Sequence, residues 1–261
     1  MDLQLADKTV VITGGSRGIG FACAAAFLAE GARVALISRS EEHLRHAAAR
    51  LHCAGDYPPL TIAADLIHAE EAARMAAEVA EKFGPVDVLV NSAGAAKRYL
   101  PDQLVAGSWH AAMDAKYFTY IHAMDAVLPS MVGRGGAVVN IIGMGGKVAT
   151  PIHLPGGAAN AALMLATVGL ASVYGPKGVR INAINPGATM TERVEEALRL
   201  EASQRGTSPD EVLKQGQARV PLGRYADPDD VAQVTLFLAS ARASYVTGAI
   251  IPMDGGMSAV L

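Results

Sequence analysis

Short Val/Ile-rich runs alternate with helical stretches along the chain. The runs carry few polar positions, and a glycine-rich turn joins the first of them to the first helical stretch. These observations predict an α/β fold: a single doubly wound domain, with a parallel sheet and helices on both faces. Strands covered on both faces read as near-continuous apolar runs, and parallel neighbours need a helical crossover between them. At 261 residues the chain suits one large α/β domain, so 1–261 is read as one unit. No linker, low-complexity tract or charge block divides it.

Taken in order, Thr9 to Thr13 (TVVIT) is the first strand; it ends in Gly14-Gly15, and a helical pattern opens near Gly18. Arg33 to Ile37 follows Gly31 as the second strand. A charged amphipathic stretch from Glu41 to Cys53 follows it. A strand near Leu60 to Ala64, a helix from Ala69 to Phe83 and a strand from Asp87 to Asn91 continue the alternation. One long helical segment is expected from about Ser108 to Val132. Ala137 to Ile142 reads as a strand, Pro155 to Tyr174 as an Ala-rich helix and Val179 to Asn185 as the next strand. Polar residues concentrate between Glu192 and Arg219, which predicts a small helical flap at about 190–220.

Composition excludes several function classes. Hydrophobic residues make up 51% and charged residues 18%, enough apolar material for a sizeable core. The net charge of −3 points to neither nucleic acid nor a polybasic membrane anchor. Cys23 and Cys53 are the two cysteines, read as ordinary free thiols, and no Cys/His spacing suits a metal. The apolar stretch around Ala161 to Ala171 falls below the ~18 residues of a membrane span. Met1 to Lys8 lacks an apolar signal region, so a soluble cytoplasmic protein is expected.

The turn Thr13-Gly14-Gly15-Ser16-Arg17-Gly18-Ile19-Gly20 has the spacing TGxxxGxG. A phosphate needs backbone N–H donors, a helix N-terminus and no Cβ in the way, and glycines at a strand-to-helix turn allow all three.

This turn and further motifs, in the correct order over nearly the whole chain, resemble the short-chain dehydrogenase/reductase family. TGGSRGIG is similar to the family's glycine motif. Asp65-Leu66 matches its adenine-contacting acidic position, and Asn91-Ser92-Ala93-Gly94 is a variant of its NNAG motif. Asn185-Pro186-Gly187, with Thr189 and Thr191, resembles the PG motif on the nicotinamide side. Pro221-Leu222-Gly223-Arg224, Phe237-Leu238-Ala239-Ser240 and Asp254-Gly255-Gly256 match its C-terminal signature. The resemblance implies a Rossmann-type fold and a dinucleotide held by Gly14, Ser16, Arg17, Gly18, Ile19, Gly20, Asp65, Leu66, Asn91, Ala93, Gly94, Pro186, Gly187, Thr189 and Thr191. An acidic residue after the second strand would bond a ribose 2′-OH and repel a 2′-phosphate. Ser38 stands there, followed by Arg39, with Arg17 in the glycine loop. Two guanidiniums and a hydroxyl suit a dianionic phosphate, so NADP(H) is expected over NAD(H).

The catalytic half of the resemblance fails. The family's general acid/base is a Tyr, assisted by a Lys four residues later, a Ser that orients substrate and an Asn in a water relay. In the register set by Val138 to Ile142 and by Ala161 to Asn185, the Ser position is Gly143, the Tyr position Gly156 and the Lys position Asn160. Seven residues after Trp109, the Asn position is Lys116. No Tyr lies between Tyr120 and Tyr174, and no Ser between Ser130 and Ser172. Gly143 and Gly156 should open space over the nicotinamide, since a Tyr side chain occupies on the order of 150–250 Å². Asn160 keeps its hydrogen bonds to ribose without a charge. Lys116, unless it pairs with Asp114 or Asp125, becomes an acid or base near neutral pH when buried. Lys147, His153 and Thr150 are the other candidates around the same site.

The expected function is an NADP(H)-dependent oxidoreductase with a non-standard active site, acting on a carbonyl, alcohol or activated double bond of a small molecule. A catalytically silent NADP(H)-binding or regulatory protein and a non-redox acid–base enzyme are the alternatives. No metal, nucleic acid or membrane partner is expected. The apolar surfaces of the Ala-rich helix and of the Ser108 to Val132 segment suggest a homotetramer, with a homodimer as the smaller assembly.

Overall fold

The computed structural model describes residues 2–53, 57–94 and 96–258. Within them β1 (Thr9–Thr13) leads into α1 (Gly18–Ala29), β2 (Arg33–Ser38) into α2 (Glu41–Arg50), and β3 (Leu60–Ala63) into α3 (Ala69–Phe83). After β4 (Val88–Asn91) come α4 (Ala106–Ala112) and α5 (Thr119–Met131), then β5 (Gly136–Ile141), α6 (Leu154–Tyr174) and β6 (Val179–Pro186). Helices α7 (Glu192–Arg205), α8 (Pro209–Gln217) and α9 (Pro228–Ala239) precede β7 (Ile250–Met253). The strands form one parallel sheet in the order β3-β2-β1-β4-β5-β6-β7. This is the doubly wound fold the alternation predicts.

Successive side chains of a strand point to opposite faces, and the two cores follow from that. Val11 and Leu89 face one layer with Met75 and Val79 of α3, Met124 and Leu128 of α5 and Leu163 of α6. Val10 and Ile12 face the other, with Phe27 and Leu28 of α1, Leu44 of α2 and Leu236 of α9. Helices α7 and α8 share a small cluster of Leu198, Ala202 and Val212 beside the sheet.

Three elements differ from the sequence reading. The charged stretch after β2 is helical only to Arg50. The segment expected as one helix from Ser108 to Val132 starts at Ala106 and ends at Met131, and Met113–Phe118 between α4 and α5 winds as a π-helical turn. Gly94, at φ +90°, lies so close to this turn that a Cβ there would overlap the Ala115 carbonyl. The Thr119 hydroxyl donates to the Lys116 carbonyl at 3.0 Å, satisfying a group the widened turn frees. Finally, the segment Pro151–Lys177 is long and apolar enough to cross a membrane by composition, more than the Ala161 to Ala171 stretch suggested. Its Leu163, Met164 and Ala171 lie in the core against the sheet, the place of a core helix.

A buried polar chain ties the sheet to α6. The Thr13 hydroxyl donates to Asn91 Oδ1 (3.4 Å), Asn91 Nδ2 to Asn140 Oδ1 (2.9 Å), and Asn140 Nδ2 to Thr167 Oγ1 (3.0 Å). Thr13 also accepts the backbone N–H groups of Ser92 and Ala93, both at 3.1 Å. Asn140→Leu leaves the Asn91 amide without its acceptor in a fully buried site. The expected loss, by urea unfolding, is about 1–3 kcal/mol. An unchanged midpoint would show the chain to be neutral.

Candidate functional site

The residues expected to hold a dinucleotide converge at the carboxyl ends of the parallel strands. In the order 3-2-1-4, β1 and β4 flank the point where the winding reverses, the usual ligand crevice of such sheets. Gly14 to Gly20 fill the turn from β1 into α1; Ser38 ends β2, with Arg39 exposed beyond it. Asp65 and Leu66 follow β3, Asn91 ends β4 with Ala93 and Gly94 after it, and Pro186 ends β6 before Gly187, Thr189 and Thr191.

Glycine is required at two places in the turn. Gly14 adopts φ +69°, and a Cβ there would lie 2.8 Å from the Ser92 carbonyl oxygen. At Gly20 a Cβ would overlap the Gly14 carbonyl. The bare backbone thus packs tightly below, while above it the Thr191 methyl stands 3.4 Å from where a Gly18 Cβ would be. The first N–H groups of α1 have no intrahelical acceptors and face this gap. The donor set fits a phosphate-bearing dinucleotide.

The candidate catalytic residues gather at the ends of β5 and α6. Lys116, in the π-helical turn, is 8% exposed. Its Nζ donates to the Tyr120 hydroxyl at 2.8 Å and to the Ile141 carbonyl at 3.1 Å, and the Tyr120 hydroxyl donates to the same carbonyl at 2.5 Å. The ion pair with Asp114 or Asp125 is not formed; among the described residues no carboxylate lies within salt-bridge distance of Lys116. Burial among neutral groups, and then the Arg193 charge, lower its pKa to about 7. Burial pushes the Tyr120 phenol up, so it stays protonated.

His153 immediately precedes α6, without a capping side-chain hydrogen bond, and lies against Gly156: a Cβ on Gly156 would overlap the imidazole and come within 2.8 Å of the Ala96 methyl. The expectation of open space is corrected here, because the imidazole occupies the room above Gly156. At Gly143, by contrast, a Cβ would only touch the Asn160 amide nitrogen, at 3.4 Å, and Asn160 itself is buried. His153 Nδ1 is buried without a hydrogen-bond partner among the described residues. Burial first, then Arg98, Arg193 and Lys116, hold its pKa below the ordinary histidine value. Lys147 and Thr150 line a cleft of about 250 Å³ with His153, Gly145 and Gly157. No group of three or more metal-ligating side chains occurs among the described residues.

Sequence reasoning missed Tyr120, Arg98 and Arg193. Tyr120 follows Lys116 at the i,i+4 spacing that brings helical side chains together, a signal present in the sequence. The two arginines sit far apart in the chain, and only the fold unites them.

A model of the enoyl-(acyl carrier protein) reductase family matches residues 14–258. Galactitol 2-dehydrogenase (L-tagatose-forming) of Cereibacter sphaeroides is 36% identical over 97% of this chain and 96% of its own. The structure of L-sorbose reductase from Gluconobacter frateurii, complexed with NADPH and L-sorbose, superposes with a TM-score of 0.95 at 28% identity over the full length of both chains. An NADPH-bound short-chain oxidoreductase from Pseudomonas aeruginosa PAO1, described as containing an atypical catalytic center, superposes at TM-score 0.88 and 28% identity over 97% of this chain and 98% of that one.

Proposed function

Since the chain belongs to the short-chain dehydrogenase/reductase family of oxidoreductases, we propose that it is a cytoplasmic NADP(H)-dependent member in which His153, backed by Lys116, replaces the usual tyrosine-and-lysine proton relay. The substrate is a small molecule with a carbonyl, alcohol or activated double bond. One observation carries the reading: the His153 imidazole lies over Gly156, where the family's tyrosine would begin. NADPH in two of the similar structures supports the cofactor, and the atypical center of the Pseudomonas protein shows that a relative in this fold departs from the usual catalytic groups.

Gly14 to Gly20 and Thr191 would hold the pyrophosphate, Ser38, Arg39 and Arg17 the 2′-phosphate, Asp65 and Leu66 the adenine, and Asn160 the nicotinamide ribose. Asn91, Ala93, Gly94, Pro186, Gly187 and Thr189 shape the crevice between. When bound, the dinucleotide supplies the hydride. His153 gives a proton to the substrate oxygen as that oxygen gains charge. Lys116, which exchanges its proton near neutral pH, restores it. Lys147 and Thr150, on the cleft wall, position substrate.

The test is NADPH oxidation across a panel of ketones, aldehydes and enones, with NADPH binding measured alongside. Stoichiometric oxidation supports the reading. Tight NADPH binding without turnover of any compound overturns it in favour of a binding protein, and conversion without NADPH consumption in favour of a non-redox enzyme.

Cofactor choice has its own expected result. Arg39→Ala should weaken NADPH binding about tenfold or more in calorimetry, the loss of a charge-assisted contact, and leave NADH binding nearly unchanged. An equal effect on both cofactors would place Arg39 away from the 2′-phosphate. Assembly is proposed through α6 and the α4–α5 segment. Leu165 is 77% exposed, and Val168 and Val173 of the same helix, with Trp109 and Phe118 of the α4–α5 segment, are exposed too. Leu165→Glu should lower the mass seen by light scattering; an unchanged assembly would move the interface elsewhere.

A further inference from the structure

The loop after β4 is stitched at two points. Arg193 Nη2, from the first turn of α7, donates to the Ala96 carbonyl at 3.2 Å. The Tyr99 N–H donates to the Ile152 carbonyl at 3.0 Å, one residue before His153. Arg98 lies between these stitches, and Ala96 and His153 flank Gly156 together. Arg193 is thus fastened to the loop that carries Arg98 and that packs beside His153, and the charges of Arg98, Arg193 and Lys116 all reach the imidazole. Their charges act on one another: Arg98 and Arg193 both disfavour the protonated imidazole, and Arg98 and Arg17 disfavour the Arg193 charge. Among the described residues no carboxylate forms an ion pair with Arg98 or Arg193. Glu192 and Asp102, the acidic residues nearest in sequence, form no ion pair with either guanidinium. In a chain of net charge −3, such a concentration of unmatched positive charge is local and specific.

We infer that the substrate of this site carries an oxyanion, a carboxylate or phosphate-type group, held by Arg98 and Arg193 with its reacting carbonyl directed to His153. The inference rests on the oxidoreductase reading and names its substrate class. Planar guanidiniums present paired N–H donors that match the geometry of such oxyanions. Like charges converging without counterions are costly to the empty protein, and a bound anion relieves that cost, so electrostatics selects substrates by sign. The same anion favours the protonated imidazole, so the acid forms where the substrate is bound.

The experiment compares benzoylformate, its neutral amide and benzoylphosphonate, carbonyl compounds of similar size. Binding to the NADP⁺-loaded protein is measured by calorimetry, and turnover by NADPH oxidation. Both anions should bind at least tenfold more tightly than the amide, with affinity falling as ionic strength rises. Arg98→Gln and Arg193→Gln should each weaken anion binding about tenfold and leave NADPH affinity unchanged. A preference for benzoylformate over benzoylphosphonate would identify a carboxylate, the reverse a phosphate-type group. Equal binding of amide and anions, or no binding of either anion, overturns the inference. So does a loss in the two variants confined to NADPH affinity, which would assign the guanidiniums to the cofactor. Anion binding without turnover keeps the anion site and removes the oxidoreductase reading, so the two claims fail separately.

Discussion

His153→Gln should lower kcat for carbonyl reduction by about 10²–10⁴, the range for loss of a general acid, while NADPH affinity holds. The imidazole lies against Gly156, and its Nδ1 has no hydrogen-bond partner among the described residues. Burial and the charges of Arg98, Arg193 and Lys116 lower its pKa. Reduction needs the protonated ring, so kcat/KM should fall as pH rises through a value below the usual histidine range. That limb should vanish in His153→Gln. Gly156→Ala gives an independent check from the opposite side. Its methyl would overlap the imidazole and displace it, so activity should fall. The helical gain of up to about 1 kcal/mol is offset by overlap with His153 and Ala96, costing about 1–3 kcal/mol, so urea unfolding is measured beside activity to show that the variant stays folded. Full turnover in both variants would remove His153 from the mechanism and leave Lys147 or Thr150 as the proton source.

Most of the frame was legible because parallel strands advertise themselves. Val10 to Thr13 and Val34 to Ile37 are buried on both faces, and their unbroken apolar runs show it. Strand β7 was not read. Its sequence, Ile250-Ile251-Pro252-Met253, contains a proline, which argues against a strand, yet it forms the edge of the sheet, where a missing N–H is tolerated. Helix α9 also escaped, although Asp227 and Asp230 form a capping box at its start, a legible signal. The π-helical turn had no such signal. No Pro or Gly marks Met113–Phe118, and the close approach of Gly94 to Ala115 in that turn joins residues distant in the chain. The residues expected to hold a cofactor could be listed because their motifs are local, and the fold brings them to the carboxyl ends of the strands. Gly156 could be singled out in the sequence, but not what lies against it: only the folded chain shows His153 turned over Gly156 and Arg193 reaching Ala96.

Lys116→Met separates catalytic from structural need. An unfolded chain holds this lysine at the ordinary value of 10.5, and the folded protein at about 7. Between those values the unfolded state binds more protons, so this group makes stability rise with pH from about 7 to 10.5. Below 7 both states are protonated and the full cost of burying the charge remains. At neutral pH that cost is roughly 4 kcal/mol. Methionine removes it, fills similar volume, and leaves the Tyr120 hydroxyl bonded to the Ile141 carbonyl. It also loses the bond to that hydroxyl and the ammonium's contact with the Tyr120 ring, 4.5 Å from its centroid. The net expectation is a gain of about 1–3 kcal/mol in urea unfolding at pH 7, and a flatter stability profile from pH 7 to 10. Turnover should fall by about 10²–10⁴ in the same variant if Lys116 restores the proton on His153, with NADPH affinity unchanged. Greater stability with undiminished turnover would deny Lys116 that role, and lower stability would show the ammonium to be a structural support of the π-helical turn.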